Sequence, residues 1–247
     1  MASRKTALVT GGMGGLGEAV ARVLHDRGHA VLVTHSRSDE AASAWLKAQA
    51  EAGYSFQSYD VDVADFGSCM RMAEGIRADG HVVDILVNNA GITRDGTFRK
   101  MDKLNWDAVL RTNLDSMYNV TRPLIDGMLE RGWGRIVNIS SINGTKGQFG
   151  QTNYSAAKAG IHGFTKALAQ EVARKGVTVN TVSPGYLATK MVTAVPEDVL
   201  GQIVAAIPVG RLGKPEEIAE LIAFICSEAG AYMTGSNVSM NGGQHMY

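Results

Sequence analysis

Residues 10–17 read Thr-Gly-Gly-Met-Gly-Gly-Leu-Gly and directly follow the short apolar run Ala7-Leu8-Val9. Glycine loses more conformational freedom on folding than any other residue, so a glycine-rich turn indicates that the bare backbone is needed there. In α/β proteins the usual reason is a pyrophosphate, which binds the free N–H groups at the start of the next helix, here predicted over Gly15 to Gly28. A tight strand-to-helix turn without a ligand would also favour glycine, and glycines at 11, 15 and 17 depart from the commoner G-x-G-x-x-G spacing.

The composition indicates a globular chain without a strong charge. The 247 residues are 45% hydrophobic and carry 24 basic and 24 acidic side chains. This balance gives no net field towards nucleic acid or an anionic membrane, and no apolar run approaches the roughly 20 residues of a membrane span. Cys69 and Cys226 lie far apart in helix-like segments, which suits free buried thiols in a reducing compartment. We therefore expect a cytoplasmic protein with no nucleic-acid or membrane partner and no metal site.

Strand-like and helix-like segments alternate along the whole chain. The predicted strands are 6–10, 30–34, 55–60, 85–88, 134–139, 177–182 and 238–240. Helical periodicity marks 39–52, 66–79, 106–130, 151–174 and 216–228. Short apolar strands separated by helices predict an α/β fold, a single doubly wound parallel sheet of Rossmann type with helices on both faces. No repeat or linker interrupts the pattern, so we expect one domain over residues 1–247.

One connection stands out by its proline content. Four of the five prolines lie between residues 184 and 215, which join the sixth and seventh predicted strands. Long connections in compact domains often cover binding sites. We therefore predict a substrate lid at about 184–215.

Ligands of such sheets bind beyond the carboxyl ends of the strands, so the residues there are candidate contacts. After the second strand, His35-Ser36-Arg37 offers no acidic residue for a ribose 2′-hydroxyl. Arg37 favours a 2′-phosphate instead, and therefore NADP(H), although it could also be an ordinary solvated loop residue. Asp62-Val63 follows the third strand and Asn89-Ala90-Gly91 the fourth, where small residues would admit a flat ligand or form a tight turn.

A Tyr-x-x-x-Lys pair, Tyr154 and Lys158, is the candidate catalytic motif. Residues four apart share a helix face, and an ammonium beside a phenol lowers a pKa that is ordinarily near ~10, which favours acid–base chemistry at neutral pH. Ser141 ends the fifth strand and could bind a substrate carbonyl or be a structural serine in the following turn. Tyr186 and Lys190 repeat the spacing, but they follow a Pro-Gly pair where no helix is established.

Together these motifs resemble the short-chain dehydrogenase/reductase family, with a match from residue 5 to the final strand. The resemblance rests on the glycine loop, Asn88-Asn89-Ala90-Gly91, Asn113, Ser141, Tyr154 with Lys158, Pro184-Gly185 and Asn241-Gly242-Gly243. Within the family, Ile92-Thr93-Arg94-Asp95 and Gly210-Arg211-Leu212-Gly213 are similar to reductases of 3-oxoacyl thioesters. Residues 131–135, 148–155 and His245-Met246 are most similar to acetoacetyl-CoA reductases of polyhydroxybutyrate synthesis.

The resemblance implies a homotetramer that reduces acetoacetyl-CoA to (3R)-3-hydroxybutyryl-CoA with NADPH. It makes Tyr154 the general acid that protonates the keto oxygen, and Ser141 the residue that holds and polarises the carbonyl. Lys158 would lower the phenol pKa and bind the nicotinamide ribose, and Asn113 would anchor a water of the proton relay. The cofactor-binding candidates are Gly11, Gly12, Met13, Gly14, Gly15, Leu16, Gly17, Ser36, Arg37, Asp62, Val63, Asn89, Ala90, Gly91, Tyr154, Lys158, Pro184 and Gly185. The substrate-binding candidates are Asp95, Ser141, Gln148, Phe149, Gln151 and Tyr186.

Two positions depart from the family pattern. Relatives that use acyl carrier protein often have arginine in the glycine loop where this chain has Gly14, so the NADP(H) prediction depends largely on Arg37. The predicted lid reads Thr189-Lys190-Met191, whereas relatives commonly have an acidic middle residue.

Other functions remain as alternatives. A 3-oxoacyl-[acyl-carrier-protein] reductase would use the same residues on a protein-bound substrate. A non-catalytic NADP-binding sensor would keep the glycine loop but would not need Ser141, Tyr154 and Lys158 together. A serine hydrolase would need a G-x-S-x-G elbow, which the sequence lacks. A metal hydrolase has only His25 and His29 as a candidate pair, and Gly28 is expected to end the helix between them.

Overall fold

The structure, a computed structural model, describes residues 4–36 and 39–246 and, at residues 39 and 191, the backbone alone. Its centre is one sheet of seven parallel strands in the order β3-β2-β1-β4-β5-β6-β7. The strands are β1 (Thr6–Val9), β2 (Ala30–His35), β3 (Phe56–Asp60), β4 (Ile85–Asn88), β5 (Gly134–Ile139), β6 (Val177–Pro184) and β7 (Asn237–Met240). The predicted fold class is therefore confirmed, and the strand order reverses between β1 and β4.

Side chains alternate along the central strands and so form two apolar layers. Ala7 and Val9 belong to one buried cluster, while Leu8 between them belongs to the other. The first layer packs against α1 (Gly15–Asp26), α2 (Asp39–Glu51) and α10 (Pro215–Cys226). The second packs against α3 (Phe66–Ala78), α5 (Ser116–Arg131) and α7 (Thr152–Val172). Because both faces are covered, the strands are apolar on both sides, as the sequence pattern predicted.

The continuous helix predicted over 106–130 is wrong. The structure has α4 (Lys103–Leu110), a π-helical turn (Arg111–Asp115) and then α5. Inside the π turn, the side chain of Asn113 forms two hydrogen bonds with the backbone of Ile92, at 2.9 and 2.8 Å. Single π turns inside α-helices often occur at functional sites, and periodicity alone does not detect the extra residue that they contain.

The predicted lid segment contains α8 (Lys190–Thr193) and α9 (Glu197–Ala205). Its two ends are held together, because Gly213 donates to the carbonyl of Tyr186 at 3.0 Å and Ala188 donates to that of Gly213 at 2.8 Å. The remaining helical segments are α6 (Asn143–Lys146) and the 3-10 turns Phe98–Lys100, Ala173–Lys175 and Glu228–Gly230. Among the helices that the structure describes, none is long and apolar enough to cross a membrane.

Candidate active site

The glycine loop lies at the carboxyl end of β1 and is held from one side by β2. The N–H of Gly11 donates to the Thr34 hydroxyl at 3.2 Å, and the N–H of Gly12 donates to the Thr34 carbonyl at 3.1 Å. Gly17, in the first turn of α1, packs against this loop so closely that an added Cβ would lie 2.4 Å from the Gly11 carbonyl oxygen. The sequence therefore needs glycine at position 17 for the packing of loop against helix.

The end of β4 holds the same loop from the other side, at the point where the strand order reverses. The Thr10 hydroxyl accepts the N–H groups of Asn89 and Ala90 at 2.9 and 3.0 Å. The Asn89 amide donates to the carbonyls of Thr10 and Gly11 at 2.9 and 3.3 Å. Asn89 thus shapes the loop as well as lining the cleft beside it, a role that its position after a strand did not reveal.

A cleft of about 1040 Å³ opens beside this loop. Ligand pockets span roughly 300–1,000 Å³, so the cleft is large enough for a dinucleotide. The predicted cofactor-binding residues that line it are Gly11, Met13, Gly14, Gly15, Leu16, Ser36, Asp62, Val63, Asn89, Ala90 and Gly91. Its glycine-lined backbone and its size fit a nicotinamide dinucleotide.

The other predicted cofactor residues fall into three groups. Gly12 and Gly17 do not line the cleft. An added Cβ would lie 2.6 Å from Val33 at Gly12 and 2.4 Å from the Gly11 carbonyl oxygen at Gly17, so both glycines allow close packing of the loop against its neighbours. Tyr154, Lys158, Pro184 and Gly185 line an adjoining cavity. Arg37 lies outside the described residues.

Several residues of the cleft were missed by the sequence analysis. They are Glu18, Thr34, His35, Trp45, Val61, Ile92, Thr112, Ala188, Thr189, Lys190, Pro215 and Glu216. Trp45 belongs to α2 and reaches the cleft, and its indole N–H donates to Glu18 of α1 at 2.8 Å. Helix packing brings it there, and no local motif marks such a contact.

The adjoining cavity, of about 230 Å³, contains the candidate catalytic residues Ser141, Tyr154 and Lys158. It shares Leu16, Asn89, Gly91 and Ile92 with the larger cleft, so the two spaces are contiguous. The Tyr154 phenol is hydrogen-bonded to Ser141, and the Lys158 ammonium lies 5.6 Å from the centre of the Tyr154 ring. The structure therefore brings the three predicted residues together at the carboxyl edge of the sheet.

Lys158 is buried and held in place by the strand below it. Its Nζ donates to the Ile139 carbonyl at 2.7 Å, and its own carbonyl accepts from the Ser140 hydroxyl at 2.9 Å. Burial penalises the charged form and lowers the pKa of Lys158 to about 8. At neutral pH the side chain is still mostly an ammonium.

The pKa of Tyr154 runs against the sequence-based expectation. Burial raises it to about 12; the hydrogen bond from Ser141 lowers it and the nearby Asp95 carboxylate raises it further. Lys158 was expected to bring this pKa below the ordinary value, but the shift is upward and arises mainly from burial. The phenol is consequently protonated at neutral pH, which is the form that a general acid needs.

The Asn113 side chain is already engaged by protein. Its carbonyl oxygen accepts from the N–H of Ile92 and its amide donates to the Ile92 carbonyl, so it fixes a residue that lines both cavities. These two bonds use one acceptor and one donor position of the side chain, so the role implied by the resemblance, which is to anchor a water of the proton relay, stays a prediction.

The predicted substrate residues are more scattered. Gln151 bridges Asp95 at 2.8 Å and Asn143 at 2.9 Å, which joins the loop after β4 to the start of α7. The Phe149 ring is 87% exposed. Gln148, Phe149 and Gln151 are not among the residues lining the Tyr154 cavity.

Tyr186 lines a neighbouring cavity of about 200 Å³, which shares Gly185 and Leu187 with the Tyr154 cavity and is also lined by Arg211 and Met240. It precedes α8, whereas Lys190 begins that helix. This second Tyr-x-x-x-Lys pair therefore does not form a helix face, as its position after Pro184 suggested.

Both cysteines, Cys69 and Cys226, are free and buried, as predicted. Within the described ranges, no three histidine, cysteine, aspartate or glutamate side chains form a group that could hold a metal ion.

Comparison with known proteins agrees with this geometry. The short chain dehydrogenase family model matches residues 5–200. The acetoacetyl-CoA reductase of Cupriavidus necator is 55% identical over 244 residues, which cover 99% of both chains. The nodulation protein G of Azospirillum brasilense is 55% identical over 98% of both chains, and the 3-oxoacyl-[acyl-carrier-protein] reductase FabG of Vibrio harveyi is 42% identical over 98% of both. The chain belongs to the short-chain dehydrogenase family.

Proposed function

We propose that this oxidoreductase reduces acetoacetyl-CoA to (3R)-3-hydroxybutyryl-CoA with NADPH as the cofactor. One observation carries the proposal: the Tyr154–Ser141 pair and the Lys158 ammonium lie in a cavity contiguous with a dinucleotide-sized cleft. The choice of substrate is supported by the acetoacetyl-CoA reductases of Cupriavidus necator and Allochromatium vinosum, which are 55% and 51% identical to the chain. Consumption of NADPH by the purified protein with acetoacetyl-CoA tests it, and absence of turnover would favour a cofactor-binding sensor.

The residues of the cavity divide the chemistry between them. When bound, NADPH supplies the hydride. Ser141 holds the keto oxygen and polarises the carbonyl, and Tyr154, which is protonated at neutral pH, donates its proton to that oxygen. The Lys158 ammonium then stabilises the tyrosinate that remains.

The rate of reduction is expected to fall as the pH rises through about 8. Burial has lowered the pKa of Lys158 to about 8, so its ammonium is present below that pH and is lost above it. Without the ammonium, the tyrosinate left after proton transfer is less stable, and turnover decreases. A pH profile of kcat between pH 6 and 10 checks this, and a rate that rises steadily to pH 10 would contradict it.

Replacing Arg37 with glutamate is expected to weaken NADPH binding and to affect NADH much less. The glutamate places a negative charge beside the 2′-phosphate and removes a possible bidentate partner, whereas NADH lacks that phosphate. The ratio of kcat/KM for NADPH to kcat/KM for NADH is the measurement. An unchanged ratio would make Arg37 a solvated loop residue.

Acetoacetyl-CoA is expected to be used with clearly higher kcat/KM than acetoacetyl-acyl carrier protein. An acidic carrier needs basic docking residues, and the two candidate regions lie around Arg131 and Lys175. Arg131 is paired with Asp84 at 3.2 Å and also donates to the Val83 carbonyl. Both regions immediately precede strands, at the opposite end of the sheet from Tyr154, so within one chain they do not form the mouth of its cavity.

The comparison of the two thioesters is best made at physiological salt. Moderate salt should weaken acetoacetyl-CoA binding somewhat, because the CoA phosphates also need positive partners. A preference for the carrier-protein substrate would replace the proposed role by fatty-acid elongation.

We also propose that the enzyme is a cytoplasmic homotetramer and that its product supplies polyhydroxybutyrate synthesis. Each subunit would be one domain, with a substrate lid at about 184–215. The two free buried cysteines suit a reducing compartment. Phe66 on α3 and Tyr118 on α5 are exposed, and the centres of their rings are 5.7 Å apart. The two rings offer apolar surface for a second subunit. Sedimentation of the purified protein measures the oligomeric state.

A further inference from the structure

Lys190 is the residue of the predicted lid that the proposed chemistry leaves without a role. It begins α8 and lines the large cleft beside the glycine loop. Its side chain is exposed, and within residues 4–36 and 39–246 it forms no ion pair. An ammonium on a long flexible side chain is therefore available to a ligand in this cleft.

The backbone places Lys190 next to the glycine loop. An added Cβ on Gly15 would lie 3.4 Å from the Thr189 methyl group, so the residue before Lys190 lies close to the first turn of α1. The N–H groups at this helix start are the ones that favour a phosphate.

The charges of the residues that line the cleft explain why the Lys190 ammonium matters for binding an anionic ligand. The other lining residues with a formal charge at neutral pH are the carboxylates Glu18, Asp62 and Glu216, and Lys190 is the single lysine or arginine among the lining residues that the structure describes. A dinucleotide carries a doubly charged pyrophosphate, and three carboxylates without a cation among the lining residues would disfavour its binding. Glu18 is partly neutralised by Arg22 at 2.8 Å, but Lys190 is the lining residue that can contact the phosphates directly.

We propose that Lys190 binds the pyrophosphate of the cofactor and contributes to the affinity for both NADPH and NADH. This inference rests on the proposed nicotinamide cofactor and extends it to a residue at which the family pattern commonly has an acidic side chain. It also separates the contribution of Lys190 from that of Arg37, because Arg37 is expected to act on the 2′-phosphate that NADH lacks.

The test measures cofactor affinity directly, by fluorescence titration or calorimetry without substrate. Lys190→Ala is expected to raise the Kd of NADPH and NADH by similar factors, up to about fivefold, the range of exposed charge pairs. Lys190→Glu should raise both by more, since it replaces attraction with repulsion. The Kd of the wild type should increase with salt more steeply than that of Lys190→Ala.

Lys166→Ala is the matched control, because Lys166 is an exposed lysine on α7 that does not line the cleft. Its Kd values should equal those of the wild type. A loss confined to NADPH would overturn the pyrophosphate assignment, and so would Lys190 variants that bind both cofactors like the wild type. Wild-type protein that binds neither cofactor would overturn the proposed function together with this inference.

Discussion

Replacing Tyr154 with phenylalanine is expected to lower kcat for acetoacetyl-CoA reduction at least about a hundredfold, the lower end of general acid–base contributions. The substitution removes the hydroxyl that is hydrogen-bonded to Ser141 and keeps the ring beside Lys158. The glycine loop and the large cleft are untouched, so the Kd of NADPH should change little. Steady-state kinetics combined with cofactor titration separates the two effects.

Tyr186→Phe is the matched control for this experiment. Tyr186 lines the neighbouring cavity rather than that of Tyr154, so its loss should alter KM more than kcat. A Tyr154→Phe variant that keeps half of the wild-type rate would rule out Tyr154 as the proton donor.

Replacing Gly17 with alanine is expected to impair both cofactor binding and stability. The new Cβ would lie 2.4 Å from the Gly11 carbonyl oxygen and 2.7 Å from the Asn89 amide nitrogen. Because the Gly11 carbonyl belongs to the loop and the Asn89 amide holds that loop from β4, the loop must shift, at a cost typical of overpacking, about 1–3 kcal/mol. We expect a lower Tm and, where the cost falls on cofactor binding, a Kd for NADPH raised by about fivefold to about a hundredfold, since every 1.4 kcal/mol corresponds to a factor of ten.

Gly163→Ala controls for the substitution itself. Gly163 lies within α7, and an added Cβ there has no neighbour within 4 Å. Alanine is favoured over glycine inside helices by roughly 0.8–1.0 kcal/mol, so this variant should be at least as stable as the wild type and bind NADPH equally well. Normal cofactor affinity in Gly17→Ala would show that the close packing of the loop is not required for binding.

Much of the fold was predictable from sequence because its signals are local. A strand such as Ile85–Asn88 is apolar on both faces, and a helix such as Phe66–Ala78 has its own periodicity. The glycine loop is recognisable because glycine is strongly favoured for the left-handed backbone at Gly11 and Gly15, where φ is +61° and +46°. Tyr154 and Lys158 were predicted to lie side by side because helix geometry places residues four apart on one face.

What the sequence by itself determined, therefore, is the class of sheet, and it also predicted the glycine loop and the Tyr154–Lys158 pair on which the proposed function depends. The tertiary structure alone decided which distant residues lie near the glycine loop, namely Lys190 and Trp45 in the cleft beside it. It also placed Arg131, paired with Asp84, at the far end of the sheet from Tyr154. It also decided the protonation of Tyr154, whose pKa of about 12 follows from burial rather than from the neighbouring lysine. Periodicity is a property of consecutive residues, whereas desolvation and long-range contacts depend on how the packed layers come together.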